Sequence, residues 1–199
     1  MARKKGTETN LTRRAIIDAA SKEFADKGYD NASLRQIVAN AKLTTGALYF
    51  FFKGKEELFL ACLQELFDDV FKIMNSRKKY LRQKGFISED ESMHILHKAL
   101  ALNDKHPDAM RIVCNDLNQG AVKEFKEKLT TLFNEELDYY SPSLTPFTRD
   151  TISRVRVHIL RQLLDRNARG ELSIEEAKTV LMILRHGTSS LNREEENAY

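Results

Sequence analysis

One cation and three hydroxyls lie close together in the first quarter of the chain: Arg35, Thr44, Thr45 and Tyr49, with Gly46 and Ala47 among them and Lys55 just beyond. The chemistry these share is hydrogen bonding. Arg35 offers a fork of donors to a guanine edge or a phosphate, the hydroxyls can bond base edges or phosphate oxygens, and Lys55 offers a point charge. Gly46 and Ala47 contribute by being small. A helix whose first turn is free of bulk approaches a DNA major groove closely, because nothing holds its backbone off the base edges.

A second constellation is Glu91, His94 and His97. Glu91 and His94 have the Glu-x-x-His spacing that places both on one helix face, as in di-iron carboxylate bundles, but such a site needs a second copy on a facing helix and the chain has none. Two histidines without a third ligand are better read as surface or core residues. No phosphate-cradling glycine loop, nucleophile elbow or zinc-ligand cluster occurs. We therefore expect no enzymatic activity, no metal and no cofactor. Cys62 and Cys114, the two cysteines, are read as reduced core residues rather than as a redox switch.

The elements that must position the first group are short. Ser33 followed by Gln36 reads as a capping box, and Leu34, Ile37, Val38 and Ala41 recur at helical spacing. A turn at Lys42-Leu43 follows, and Thr44 can cap a second helix anchored by Leu48, Phe51 and Phe52. The alternative is a helical hairpin that merely fills a core. An earlier helix, capped by Asn10 or Thr12 and stopped by Gly28, carries Ile16, Ala19, Ala20 and Phe24 on one side and braces the pair.

This stretch resembles the N-terminal domain of the TetR (tetracycline-repressor) family of bacterial transcription regulators. The matching residues are Ile37, Ala41, Leu43, Thr44, Gly46, Leu48, Tyr49, Phe52, Lys55, Glu57 and Leu58, without gaps, and upstream Ala19-Ala20, Phe24, Gly28-Tyr29 and Ser33. The resemblance covers roughly Asn10 to Cys62. Three positions depart from it. Lys42 replaces a turn glycine, so a left-handed conformation there costs about 1 kcal/mol. Phe50 and Phe51 stand where the family tends to have His and Tyr, which removes two groups able to bond phosphate. Gly54 replaces a hydroxyl cap.

The formal net charge of +3 conceals an asymmetry. Residues 1–55 hold 11 Lys and Arg against 5 Asp and Glu, net +6, and the remainder is net −3. The positive charge sits with the motif. Residues 1–10 form a basic arm, able to reach phosphate or a minor groove and equally readable as a solvated terminus. The longest apolar run, Ala47 to Phe52, is too short to span a membrane, so a cytoplasmic protein is expected.

The sequence thus predicts an all-α protein: a three-helix helix-turn-helix DNA-binding domain at residues 1–54, with the motif at about 33–52, then a helical domain at 55–199. A fourth helix at about 55–77, apolar on nearly every side, is expected to connect them. Beyond it, helices are expected at 88–102, from Pro107 to Gly120, at 121–139 and 147–168, and from Ile174 to about Ser190. The resemblance implies a ligand cavity in this second domain, for which Phe67, Phe71, Met74, Met93, Leu96, Met110, Cys114, Phe125, Leu129 and Phe133 are the lining candidates. The alternative is that these side chains are simply core. It also implies that the last two helices pair with their copies in a homodimer, through Ile152, Val155, Ile159, Leu163, Val180, Leu181, Leu184 and Thr188, unless those stripes serve only the protomer. The function expected is a sequence-specific transcriptional regulator: a repressor that binds a palindromic operator in double-stranded DNA as a dimer and releases it to a small-molecule effector. The alternative is a ligand- or protein-binding helical module that has lost selective DNA binding.

Overall fold

The computed structural model describes residues 2–85, 87–115 and 119–183, and the fold is all-α, with no strand among them. The helices are α1 (Ala2–Asn31), α2 (Leu34–Asn40), α3 (Thr45–Phe51), α4 (Lys55–Lys84), α5 (Glu89–Leu100), α6 (Leu102–Lys105), α7 (Pro107–Asn115), α8 (Gly120–Tyr140) and α9 (Pro146–Ala168). A further helical stretch, α10, occupies 174–183.

Packing divides the described residues into two units, one drawn from Met1–Asp69 with His106–Lys123, the other from Val70–Lys105 with Glu124–Tyr199. In the first, α1 packs against α2, α3 and α7. Its core is Ile16, Ala20 and Phe24 of α1 with Ile37, Val38, Leu48, Phe52, Leu58 and Phe59, all buried. Phe24, Tyr29 and Phe59 form an aromatic cluster, with Phe59 edge-on to each of the other two at 5.0 Å. The docking of α7 on α1 is a tertiary contact that the local pattern did not announce. It is fixed by Arg111, which donates to the Ala25 carbonyl at 3.3 Å and to Asp26 at 2.9 Å.

Several helix limits differ from the expected ones. α1 begins at Ala2 rather than at Asn10 or Thr12: the Thr12 hydroxyl bonds the Glu8 carbonyl at 2.9 Å inside the helix rather than capping it. α4 continues past Arg77 to Lys84, because Leu81 extends its buried stripe by one more turn. It stops where Gly85 takes φ 75 and returns its amide to the Leu81 carbonyl at 2.8 Å. α5 stops at Leu100, short of Leu102, and α6 follows it. Among the described residues α7 reaches Asn115, and Gly120 opens α8 rather than closing α7. The Gln119 side chain accepts from the Ala121 amide at 2.6 Å, so it serves the start of α8.

Gly28 breaks α1 as expected, with φ 74, and one short turn follows it. Capping boxes open α5 and α10. Ser88 Oγ accepts from the Glu91 amide at 3.2 Å while Glu91 accepts from the Ser88 amide at 2.9 Å, and Ser173 and Glu176 repeat the arrangement at 3.2 and 2.8 Å. Cys62 is buried against the Ile17 carbonyl, and Cys114 is half-buried. Burial pushes the Cys62 thiol up to about 12, which leaves it unreactive.

Candidate nucleic-acid interface

The start of α2 is held from two directions. Ser33 Oγ accepts from the Gln36 amide at 3.4 Å, which is the cap expected. The reciprocal half of the box is absent, because Gln36 donates its side-chain amide to Asn40 at 2.9 Å instead. The Ser33 amide goes to Glu23 of α1, at 3.2 Å. Glu23 is only 5% exposed and also accepts from Lys27 at 2.9 Å, so one buried carboxylate ties the end of the bracing helix to the start of the motif. This residue was missed in the sequence, because ten positions separate it from its partner.

The turn between α2 and α3 takes the expected form. Lys42 has φ 55, the only positive value at a non-glycine among the described residues. Its amide bonds the Ala39 carbonyl at 3.1 Å and the Leu43 amide bonds the Val38 carbonyl at 2.9 Å, closing α2 in a left-handed turn. Thr44 then caps α3, its Oγ1 accepting from the Ala47 amide at 3.2 Å. The hydroxyl proton of Thr44 remains able to donate outward.

α3 presents two faces. Leu48 is buried, Phe51 half-buried and Phe52 buried beneath it, with the Arg13 guanidinium 5.2 Å from the Phe52 ring. Thr44, Thr45, Gly46 and Tyr49 are exposed, Ala47 is half-exposed, and Arg35 is exposed on α2. The most exposed large side chain of α3 is Phe50, 77% exposed against 55% for Tyr49. Beyond α3, Lys55 donates to the Asp30 carbonyl at 3.0 Å and lies 5.1 Å from the Tyr29 ring. An ammonium has three donors, so this anchor leaves two for a phosphate. The Lys53 amide is taken by Glu57 at 2.7 Å, which closes the start of α4.

The other proposed sites fall as follows. Of the cavity candidates, Phe67, Met110 and Cys114 belong to the first packing unit, and Phe71, Met74, Met93, Leu96, Phe125, Leu129 and Phe133 to the second. Phe71, Met93 and Cys114 are half-buried and the rest buried. Phe71 meets Phe125 edge-on at 5.6 Å. The second unit also holds an ionic group that periodicity could not reveal: buried Glu136 accepts from Arg77 at 2.7 and 2.6 Å and from Arg156 at 3.4 Å. His94 and His97 are exposed, and Glu91 is engaged by Ser88 and Lys84.

Of the dimer candidates, Leu163 is buried, Ile152, Ile159, Val180 and Leu181 are half-buried, and Val155 is 47% exposed. Leu184 and Thr188 lie outside the described residues. An open groove of about 690 Å³ runs between α9 and α10, lined by Ile159, Leu163, Leu172 and Val180 with Gln162, Arg166, Glu175, Glu176 and Thr179. Among the described residues no helix is long and apolar enough to cross a membrane.

Residues 16–62 match the model of the bacterial regulatory proteins, tetR family. The chain is 22% identical over 209 aligned positions to the uncharacterized HTH-type transcriptional regulator YuxN of Bacillus subtilis, covering 87% of this chain and 72% of that protein. It is 36% identical over 100 residues to the HTH-type transcriptional repressor AcnR of Corynebacterium diphtheriae, covering 50% of this chain and 46% of that one. The fold is similar to that of a TetR-like transcriptional regulator from Rhodococcus sp. RHA1, with a TM-score of 0.67 and 22% identity over 87% of this chain and 92% of the other. The family-model match spans the capped turn and exposed helix described above: residues 16–62 are similar to the DNA-binding domain of the tetR family of bacterial regulatory proteins, and the chain is a DNA-binding transcription regulator.

Proposed function

We propose that this regulator is a repressor, that it reads a two-fold symmetric operator as a homodimer, and that a small-molecule effector in its second helical domain releases it. The observation that carries the DNA-reading part is the division of α3 into a buried face, Leu48, and an exposed face, Thr45, Gly46 and Tyr49, beside exposed Arg35. In this reading residues 1–54 are the DNA-binding domain. Arg35, Thr44, Thr45 and Tyr49 face the groove, Gly46 and Ala47 permit close approach, and Lys55 holds phosphate.

Repression is supported by the likeness to AcnR, a transcriptional repressor. Dimerisation is supported by the open groove and the exposed Val155 on the last helices, since paired half-sites require recognition helices about 34 Å apart and a two-fold axis supplies that spacing. In this reading α4 carries the effector's influence, and the effector lies near the apolar candidates of the second packing unit, Phe71, Met74, Met93, Leu96, Phe125, Leu129 and Phe133. Tenfold release needs about 1.4 kcal/mol of effector preference for the released conformation. No reaction is assigned to the chain, and its place is the cytoplasm, with the DNA.

The test is selection of duplexes from a random pool by the purified protein, then affinity for the selected duplex across a salt series. An inverted repeat bound with a steep negative salt slope is the expected result. Folded protein that enriches no sequence, with and without candidate effectors, would point instead to a binding module without selective DNA recognition.

A further inference from the structure

The Phe50 side chain has no role in the protein's own core. It lies two residues beyond buried Leu48, so on a helix of 3.6 residues per turn it points nearly opposite to the core, and it is 77% exposed. Gly46 stands one turn earlier on the same face. The ring is steadied from the side by the half-buried Phe51, edge-on at 4.9 Å. The centre of the outward face of α3 is therefore a small residue followed by a propped apolar ring, while the groups able to donate hydrogen bonds, Thr45 and Tyr49, stand to one side.

Phenylalanine cannot bond a phosphate or a polar base edge. In a major groove the apolar group that distinguishes one base pair from another is the thymine C5-methyl, and contact with it removes apolar surface from water on both partners. We infer that Phe50 is a specificity-determining residue that reads a thymine methyl in each half of the operator. The inference rests on the DNA-reading function proposed above and deepens it, because it specifies a base at a position where no hydrogen bond is made.

The experiment uses the full-length protein and the duplex it selects from a random pool, remade with deoxyuridine in place of thymidine at one symmetric pair of positions at a time. Uracil keeps every hydrogen-bonding group of thymine and lacks only the methyl. For the unaltered protein, one such pair is expected to weaken binding by about fourfold per half-site, the value of one buried methyl group. Phe50→Ala is expected to bind thymidine and deoxyuridine duplexes equally at that pair, and Phe50→Leu to keep part of the discrimination. Indifference of the unaltered protein to deoxyuridine at every position overturns the inference, as does a methyl preference that survives intact in Phe50→Ala. If no duplex is selected at all, the DNA-reading function itself fails and the inference falls with it. The two failures are distinct, because the first leaves a tight, selective complex in hand. Thermal melting of both variants confirms that the exposed substitution leaves the fold in place.

Discussion

Gly46 has no Cβ, and nothing inside the protein asks that of it. A Cβ built there would meet only Thr44 Oγ1, at 3.8 Å, an ordinary contact, and its φ is not among the positive ones. Within α3 a glycine costs about 0.5–1 kcal/mol relative to alanine. Gly46→Ala is therefore expected to raise the melting temperature slightly. In the proposed function it also weakens binding to the selected duplex by roughly tenfold or more, since an added methyl stands between backbone and base edge. Measuring both on one sample separates the two effects: a stabilised variant with unchanged affinity would remove Gly46 from the interface. Glu23 gives the opposite kind of prediction. It accepts from the Ser33 amide and from Lys27 while almost wholly buried. Glu23→Ala leaves the Ser33 amide without this acceptor, and a loss of about 1–3 kcal/mol in urea denaturation is expected. Duplex binding should fall in parallel with the folded fraction and no further. A preserved midpoint would mean that Ser33 finds another acceptor.

At the level of whole helices, the ends carry the testable electrostatics. Glu91 is bonded by the Lys84 side chain and then by the Ser88 amide, and these bonds hold its carboxyl down to about 2, well below the ordinary glutamate value of about 4.3. A depressed value means that the ionised form is favoured by the fold. Its contribution is complete above about pH 4.3 and disappears as the pH falls through about 2. Glu91→Gln should flatten the acid limb of a stability profile between those limits and lower the neutral plateau through loss of the charged pair with Lys84, since a glutamine can still accept from the Ser88 amide. An unchanged acid limb would show that Glu91 does not contribute to it. This box, like that of Ser173 and Glu176, was legible in the sequence because both partners lie within one turn. So was the left-handed Lys42, since a turn must close between Ala41 and Thr44 whatever surrounds it. The first turn of α1 was not legible: Asn10 and Thr12 have the chemistry of caps, and only the hydrogen bond from Thr12 to Glu8 shows that the helix runs through them. Nor was the docking of α7 on α1, which depends on Arg111 reaching residues 85 and 86 positions away. The DNA-facing residues could be listed from the motif, but the prominence of Phe50 required knowing which face of α3 Leu48 buries.

For the molecule as a whole, the question is what covers the apolar face of α9 and α10. Val155, Ile159 and Leu163 follow one another at four-residue spacing on α9, and their exposure falls along that row from 47% at Val155 to full burial at Leu163. Part of the stripe therefore belongs to the protomer's own core and part does not. On α10, Ile183 is 66% exposed and lies three residues beyond Val180, which lines the groove. A second copy brought to this face would cover both exposed residues, whereas a stripe serving the protomer alone has no use for them. Val155→Lys combined with Ile183→Lys places a charge on each without touching the buried Leu163. Since both sites are solvent-exposed, the change in protomer stability is expected to stay within about 0.5 kcal/mol. Sedimentation should then shift from a dimer to a particle of one chain, 22.9 kDa. Affinity for a two-half-site duplex should fall by roughly a hundredfold, because each protomer then binds its half-site without the other held nearby. Affinity for a single half-site should stay as it was, since α2 and α3 are untouched. A variant that remains dimeric and keeps its affinity would show that the pairing surface lies elsewhere on the chain.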